Sequence, residues 1–336
     1  MYEKFSRKKY LKWRVEAVVP GKLKSRLSVL PYSEEEYNMQ FKSAFPSQKQ
    51  RVQRFSLKTS TSDSLLNYCD GLRKTSFVPL NKSNLKIYIF GGSTIDCQEV
   101  PDDYTITSRL QAKINGGGLQ EIYEVVNCGV IGATLAANLK HFKELRIAKG
   151  DICIFYFGAN ESTFTRNIYI SKFQSFSFIN FNRLYSFATK INFVVLKSFI
   201  DKFRTFDKKN KLFCEKQDEI DKICYEIDSI CDETSVTLFI ILQPFLHTRS
   251  PVPQFDHKNR RYHTGVVFEA TVHLFEQFAA KLNNKNYFVD GRSIFNNVEL
   301  DVFTDWCHCN YLGNDILAEH FYSLIQKRLE NASQNN

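Results

Sequence analysis

The stretch KIYIFGGSTIDC, residues 86–97, contains an apolar run that ends abruptly in two glycines, Ser93 and Thr94. The run KIYIF has the composition of a short buried strand. Two glycines in succession are more than a strand-to-helix turn needs, and they indicate a backbone that approaches another group closely or bends to expose the serine. Taken alone, Ser93 fits a helix N-cap as well as a nucleophile.

Beyond this stretch, apolar runs alternate with amphipathic ones from about residue 85 onward. Because the apolar runs are nearly continuous, they predict strands that are buried on both faces, as in a parallel sheet covered by helices. The pattern therefore predicts an α/β fold with three α/β/α layers and a five-stranded parallel sheet. The predicted strands cover 86–90, 123–127, 151–157, 235–244 and 286–290, and the predicted helices cover 105–114, 133–147, 211–233, 263–282 and 311–329.

Two segments depart from this alternation. Residues 1–84 lack it, so we expect a basic N-terminal extension rather than a second full domain, followed by one domain over 85–330. Residues 165–205 are rich in aromatic side chains and predict a helical insertion that packs on the core. A membrane-surface or partner-binding face is the alternative for this insertion. Its place shortly after the third strand suits a segment that shapes a substrate pocket.

The net charge of +9 belongs to the N-terminal segment, because residues 1–60 contain 14 Lys or Arg and 5 Asp or Glu. Such a segment is either a solvated arm or a peripheral contact with an anionic surface, such as lipid headgroups or a polyanionic glycan. No basic motif with interleaved aromatic residues accompanies it, so we expect no nucleic-acid partner.

The cysteines and the N-terminus indicate the compartment. The nine cysteines are scattered and form no disulfide framework, and the N-terminal residues are charged where a signal peptide is apolar. No apolar run reaches the ~18 residues of a membrane-spanning helix. We therefore expect reduced thiols in a cytoplasmic protein, which is membrane-peripheral if the basic segment contacts lipid.

Polar and glycine residues follow the first three predicted strands: Ser93, Gly132 and Asn160. The carboxyl ends of parallel strands meet at one edge of the sheet, where ligands bind in such folds. A candidate base lies in DVFTDWCHCNYLGN, residues 301–314, where Asp305 precedes His308 by three positions. Such a carboxylate can hold one imidazole nitrogen while the other faces a nucleophile.

In this order, the blocks resemble the SGNH (GDSL-like) hydrolase superfamily. Its four name-giving residues match Ser93 in GGST, Gly132 in NCGVIGAT, Asn160 in GANE and His308 in DWCH, and the resemblance covers about 85–330. It implies a flavodoxin-like sheet of the SGNH hydrolase type. Two departures stand out, because the family's usual Gly-Asp-Ser is Gly-Gly-Ser here and the Asp that commonly follows the asparagine is Glu161.

The resemblance also implies the roles of the site residues. Ser93 would be the nucleophile, His308 the general base and then the acid toward the leaving alcohol, and Asp305 the group that orients His308. The backbone N–H groups of Ser93 and Gly132 and the side-chain amide of Asn160 would form the oxyanion hole. These roles agree with general chemistry, since a serine hydroxyl needs a base and a tetrahedral intermediate needs preset donors.

Other candidates are weaker. Cys307 and Cys309 flank His308, but no second cysteine pair completes a tetrahedral site, so we expect packed thiols, no metal and no other cofactor. Gln243 ends the fourth predicted strand at the same sheet edge and is a candidate substrate contact.

These observations predict a serine esterase that hydrolyses an ester, preferably a carbohydrate O-acetyl group, through an acyl-enzyme. The substrate would be a small molecule or a glycan ester. The alternatives are an O-acyltransferase that acts on a sugar in polysaccharide biosynthesis, a lipid-active esterase on a membrane surface, and a non-catalytic binding protein that retains the fold. The oligomeric state is not indicated by the sequence.

Overall fold

The computed structural model describes residues 67–69, 71–79, 85–117, 123–162, 221–230, 236–250 and 266–334. The basic segment 1–60 and the aromatic segment 165–205 lie outside these ranges, so the statements made about them above stay predictions. Within the described ranges, no helix combines the length and the apolar composition that a membrane crossing requires.

The secondary structure follows the predicted alternation of strands and helices. The strands are β1 (Tyr68–Cys69), β2 (Leu72–Arg73), β3 (Leu85–Gly91), β4 (Tyr123–Gly129), β5 (Ile152–Phe157), β6 (Thr237–Leu242) and β7 (Phe288–Asp290). The helices are α1 (Ser93–Asp96), α2 (Ile106–Gly116), α3 (Leu135–Glu144), α4 (221–230), α5 (Val266–Leu282) and α6 (Tyr311–Gln334). Short 3-10 turns cover Asp102–Tyr104 and Gly291–Ser293.

Five of these strands form one parallel sheet in the order β4-β3-β5-β6-β7. The register aligns the carboxyl ends of the three strands that precede the predicted site residues, since Gly91 pairs with both Gly129 and Tyr156. The predicted five-stranded parallel sheet is confirmed, and its order is the doubly wound one in which the first strand lies between the second and the third.

Helices cover both faces of this sheet. In β3, Ile87 and Ile89 belong to the core on one face, whereas Tyr88 and Phe90 belong to the core on the other. This double burial explains why residues 87–90 are apolar at every position rather than at alternate ones. The first face is covered by α2 and α6, and the second by α3, α4 and α5, through buried residues such as Leu110, Phe321, Leu139, Ile227 and Phe275.

Several element boundaries differ from the prediction because of local capping. Helix α2 begins one residue later than predicted, since Thr105 is its N-cap and accepts a hydrogen bond from the Ser108 N–H at 3.2 Å. Helix α3 begins two residues later, because Thr134 is the cap. Gln243 lies outside β6, so the predicted fourth strand is too long at both ends.

A small antiparallel hairpin, β1–β2, precedes the sheet and packs against the segment after β3. The Arg73 side chain is fully buried there, and its Nε donates to Asp102 Oδ1 at 2.6 Å. Its Nη groups donate to the carbonyl oxygens of Asp96 (3.2 Å), Cys97 (3.3 Å) and Val100 (2.9 Å). The domain boundary between residues 84 and 85 stays a prediction, and the contacts of this hairpin cross it.

Candidate active site

Ser93 is the first residue of α1, which has a single turn. The N-cap is Gly92 and no side chain caps the helix, so the Ser93 hydroxyl is not used as a cap. Cys97 ends the helix in the left-handed conformation (φ 53°), and its N–H donates to the Ser93 carbonyl at 2.8 Å. The serine therefore sits on a tight turn at the carboxyl end of β3, where its hydroxyl is free to bond elsewhere.

The two glycines before Ser93 are required by close approach rather than by an unusual backbone. Neither has a positive φ. A Cβ atom on Gly91 would overlap the side chain of Ile95, and one on Gly92 would overlap Asn160 Nδ2. The pair thus lets the serine turn fold back on its strand and brings the Asn160 amide against the backbone beside the nucleophile.

Asn127 fixes the same turn from the neighbouring strand β4. Its Nδ2 donates to the Ile95 carbonyl at 2.9 Å, and its Oδ1 accepts from the Gly129 N–H at 2.9 Å. The side chain is buried, so these bonds form out of competition with water. Sequence reasoning missed this residue, although an asparagine directly after the apolar pair Val125 and Val126 was a signal.

Ser93, His308 and Asp305 form a continuous hydrogen-bonded chain. Ser93 Oγ lies 2.7 Å from His308 Nε2, and His308 Nδ1 lies 2.7 Å from Asp305 Oδ2. Because an ionised carboxylate can only accept, the imidazole proton belongs on Nδ1. Nε2 then has its lone pair available to accept the serine proton. The convergence that the sequence predicted for these three side chains is therefore present in the structure.

The loop before α6 holds Asp305 and His308 in this arrangement. Asp305 Oδ1 accepts from the backbone N–H groups of Cys307 (2.9 Å) and His308 (2.8 Å), so the carboxylate is tied to its own loop. The Thr304 N–H donates to the His308 carbonyl at 2.8 Å and closes the loop. Asn310 then caps α6 by accepting from two backbone N–H groups at its start. A compact turn thus presents the imidazole to the serine.

The electrostatic setting makes His308 a stronger base. Burial alone lowers the pKa of His308, but the charge of Asp305 and the hydrogen bond to it raise the pKa by more, with Glu99 acting in the same direction. The net result is a pKa well above the ordinary value of 6.5. An imidazole with a raised pKa accepts the serine proton more readily, and it is neutral only at higher pH.

Gly132 lies on the loop after β4, and Asn160 lies in a helical turn, residues 159–162, that follows β5. Asn160 Nδ2 donates one hydrogen to the Ala133 carbonyl at 2.7 Å, which leaves its second hydrogen available. Gly132 has φ +80°, and an added Cβ would meet nothing within 4 Å. Glycine is therefore needed at 132 for its conformation rather than for space among the described protein atoms. Among the described residues, nothing accepts from the backbone N–H of Ser93 or Gly132.

Glu161, the residue that departs from the family pattern, also lies in this region. Its Oε1 accepts from the Leu135 N–H at 2.5 Å and its Oε2 accepts from the Gly158 N–H at 2.8 Å. The carboxylate therefore links the start of α3 to the end of β5.

Gln243 lies beside this group of residues. Its side chain is buried, and its Oε1 accepts from the Ala159 N–H at 3.3 Å, next to Asn160. The structure thus brings Gln243 close to the candidate site, whereas its contact with a substrate stays a prediction.

The cysteines near the site are packed thiols. Cys307 Sγ lies 3.6 Å from His308 Nδ1, and the potential ligand atoms of Asp305, Cys307 and His308 lie within 4.8 Å of one another. However, Nδ1 already faces Asp305 Oδ2, and burial raises the pKa of Cys307 to about 11, which keeps the thiol protonated at neutral pH. Cys309 is buried, and all seven described cysteines are free.

A buried polar cluster lies behind the serine turn, and it was not predicted. The Tyr68 hydroxyl donates to Asp96 Oδ1 at 3.1 Å, and Gln98 Nε2 donates to the same hydroxyl at 3.4 Å. Burial raises the pKa of Asp96 to about 6. Nothing in the sequence signals this contact, because Tyr68 lies in the segment 1–84 that was predicted to be an extension.

Comparisons with known proteins give matches among solved structures alone, since no family model and no curated protein matches the chain. A lipase/acylhydrolase from Enterococcus faecalis is 18% identical, with a TM-score of 0.40, over 73% of this chain and 96% of its own. A putative lipolytic protein of the G-D-S-L family from Desulfitobacterium hafniense DCB-2 is 14% identical, with a TM-score of 0.38, over 71% and 99%.

A third match is an acetyl xylan esterase, AlAXEase, which is 13% identical, with a TM-score of 0.37, over 72% of this chain and 100% of its own. The G-D-S-L family named for the Desulfitobacterium hafniense protein is the one that the four sequence blocks resemble.

Proposed function

We propose that the protein is a serine esterase that cleaves an ester through an acyl-enzyme. The observation that carries this proposal is the chain of two 2.7 Å contacts from Ser93 Oγ through His308 to Asp305. Two further donors are available at the same edge of the sheet, the backbone N–H of Gly132 and the side-chain amide of Asn160. A nucleophile, a base, an orienting carboxylate and oxyanion donors together are what acyl transfer requires.

In the first half-reaction, Ser93 Oγ attacks the ester carbonyl carbon and its proton passes to His308 Nε2. The resulting oxyanion accepts hydrogen bonds from the backbone N–H groups of Ser93 and Gly132 and from the Asn160 amide. The intermediate collapses as the C–O bond to the alcohol breaks, and His308 donates its proton to the departing oxygen. The products of this step are the alcohol and an acyl ester on Ser93.

In the second half-reaction, water attacks the acyl ester while His308 Nε2 takes a proton from it. The same donors stabilise the second oxyanion, and collapse releases the acid and returns the proton to Ser93 Oγ. Asp305 remains ionised throughout and keeps the imidazole in the tautomer that serves both steps. A sugar hydroxyl in place of water would make the same site an O-acyltransferase.

For the substrate, we propose an O-acetyl group on a carbohydrate. The resemblance carried by the four sequence blocks supports this choice, and the basic segment 1–60 would suit an anionic polymer. Assays with acetylated sugars and with short-chain aryl esters, each with and without an acceptor sugar, distinguish an esterase from an O-acyltransferase. Free acetate indicates hydrolysis, whereas acetyl transferred to the sugar indicates the transferase.

The nucleophile is tested by labelling with a fluorophosphonate probe, which phosphonylates activated serines as fluoride leaves. We expect the wild type to be labelled and Ser93→Ala to be unlabelled. Ser250→Ala, which changes an exposed serine outside the site, serves as the matched control and should be labelled like the wild type. Labelling that persists in Ser93→Ala would remove Ser93 as the nucleophile, and a wild type that neither labels nor turns over any ester would favour the binding protein.

A further inference from the structure

Glu161 belongs to the helical turn that carries Asn160, and its carboxylate joins this turn to the segment that carries Gly132. Its Oε1 accepts from the N–H of Leu135, the first residue of α3, at 2.5 Å, and its Oε2 accepts from the N–H of Gly158, just after β5, at 2.8 Å. The side chain is 8% exposed, so both bonds are shielded from water. Hydrogen bonds to an ionised carboxylate are about twice as strong as neutral ones.

The two anchored residues lie close in the chain to the two donors. Gly158 precedes Asn160 by two positions, and Leu135 follows Gly132 by three. A second hydrogen bond, from Asn160 Nδ2 to the Ala133 carbonyl at 2.7 Å, connects the same two segments. The Glu161 carboxylate therefore limits how far the Gly132 and Asn160 donors can move apart.

The charge and the two equivalent oxygens of Glu161 matter for this link. Both partners are backbone N–H groups, so the side chain must accept twice. A glutamine offers one oxygen and an NH2 group, and that NH2 would face one of the two N–H donors. The aspartate that is common at this position in the family is shorter by one methylene group, so Glu161 has the greater reach between the loops.

We propose that Glu161 is a positioning residue for the oxyanion hole, because it holds the segment that bears Gly132 against the turn that bears Asn160. This inference rests on the proposed esterase function. Since a displacement of about 1 Å in a catalytic group can cost roughly 10²-fold in rate, loss of this link should lower transition-state stabilisation more than substrate binding.

The test is Glu161→Gln in the full-length chain, assayed on a short-chain aryl ester. We expect kcat to fall about 10- to 100-fold with KM nearly unchanged. A second readout is the affinity for phenylboronic acid, which forms a tetrahedral adduct on a nucleophilic serine with an oxygen in the oxyanion hole. The affinity of Glu161→Gln for this compound should fall by a factor similar to that in kcat/KM.

Asp151→Asn is a matched control for the structural part of the effect. Asp151 is also a buried carboxylate that accepts from two backbone N–H groups, those of Lys86 (2.8 Å) and Ala148 (2.7 Å). It lies at the amino end of β5, opposite the candidate site. Its variant should lose thermal stability like Glu161→Gln but keep the wild-type kcat and boronate affinity.

Glu161→Asp is the second variant, and it keeps the negative charge in case Glu161→Gln does not fold. It should retain one of the two backbone contacts and give a kcat between those of the wild type and Glu161→Gln, or below the wild type if Glu161→Gln cannot be assayed.

The proposal is overturned if the folded variants keep wild-type kcat and boronate affinity. It is also overturned if KM rises while kcat is unchanged. A wild type without labelling or ester turnover overturns the esterase itself, and the inference with it.

Discussion

At the scale of single residues, Gly92 is the most sharply constrained position next to the serine. An added Cβ would overlap Asn160 Nδ2, so Gly92→Ala should displace that amide. Loss of one oxyanion donor costs about 10²–10³ in kcat, and we expect a decrease of this size in ester hydrolysis. Gly116→Ala is the control, because a Cβ there meets nothing within 4 Å, and it should keep full activity. Equal activities of the two variants would contradict the placement of Asn160.

The Asp305–His308 contact predicts the pH dependence of the reaction. Only neutral His308 can accept the serine proton, so activity should fall as the pH drops through the pKa of His308. Because Asp305 raises that pKa, the acidic limb of the kcat/KM profile should lie above the ordinary value of 6.5. Asp305→Asn should shift the limb to lower pH and reduce kcat by roughly 10⁴-fold. An acidic limb unmoved by this substitution would contradict the assignment of the base.

At the scale of elements, the buried Arg73 side chain makes the largest set of contacts between the β1–β2 hairpin and the segment after β3. Arg73→Met would remove the charged partner of Asp102, which keeps its bonds from Asn67, and the side-chain donor to three backbone carbonyls. Breaking such a buried pair costs about 3–5 kcal/mol, which urea unfolding would show as a lower midpoint. Arg292→Met is the control, because Arg292 pairs with Asp290 at a partly exposed site and should matter by less than about 1 kcal/mol. Equal losses would contradict the role given to Arg73.

The elements also show what a sequence can reveal. Continuous apolar runs identify β3 and β5, because a strand that is buried on both faces needs apolar side chains at successive positions. Ser93 and His308 were predictable because glycines and a paired carboxylate surround them. Arg73 was not, since its carbonyl partners can be any residue type and lie 23 to 27 positions away. A hydrogen bond to a backbone carbonyl places no requirement on the side chain of that residue, so the sequence of the partner segment does not reveal the contact.

At the scale of the whole molecule, the parallel sheet is what assembles the site. Ser93 and His308 are 215 positions apart, and they meet because β3, β4 and β5 end at one edge of the sheet while the loop before α6 returns to it. Alignment of these ends in register brings the serine turn, the loop of Gly132 and the segment of Asn160 to the same edge of the sheet. The buried cluster around Asp96 then supports the serine turn from the opposite side.

This architecture predicts where the chain can be shortened. A chain that begins at residue 67 keeps Tyr68 and Arg73, whereas one that begins at residue 80 loses both and leaves the Asp96 and Asp102 carboxylates buried without them. The second chain should therefore unfold at a clearly lower urea concentration than the first, with a loss of at least the about 3–5 kcal/mol expected for Arg73→Met. Both chains retain Ser93 and His308, so fluorophosphonate labelling reports whether the site survives in each. Equal unfolding midpoints would show that the hairpin is dispensable and that the folded unit begins at the predicted residue 85.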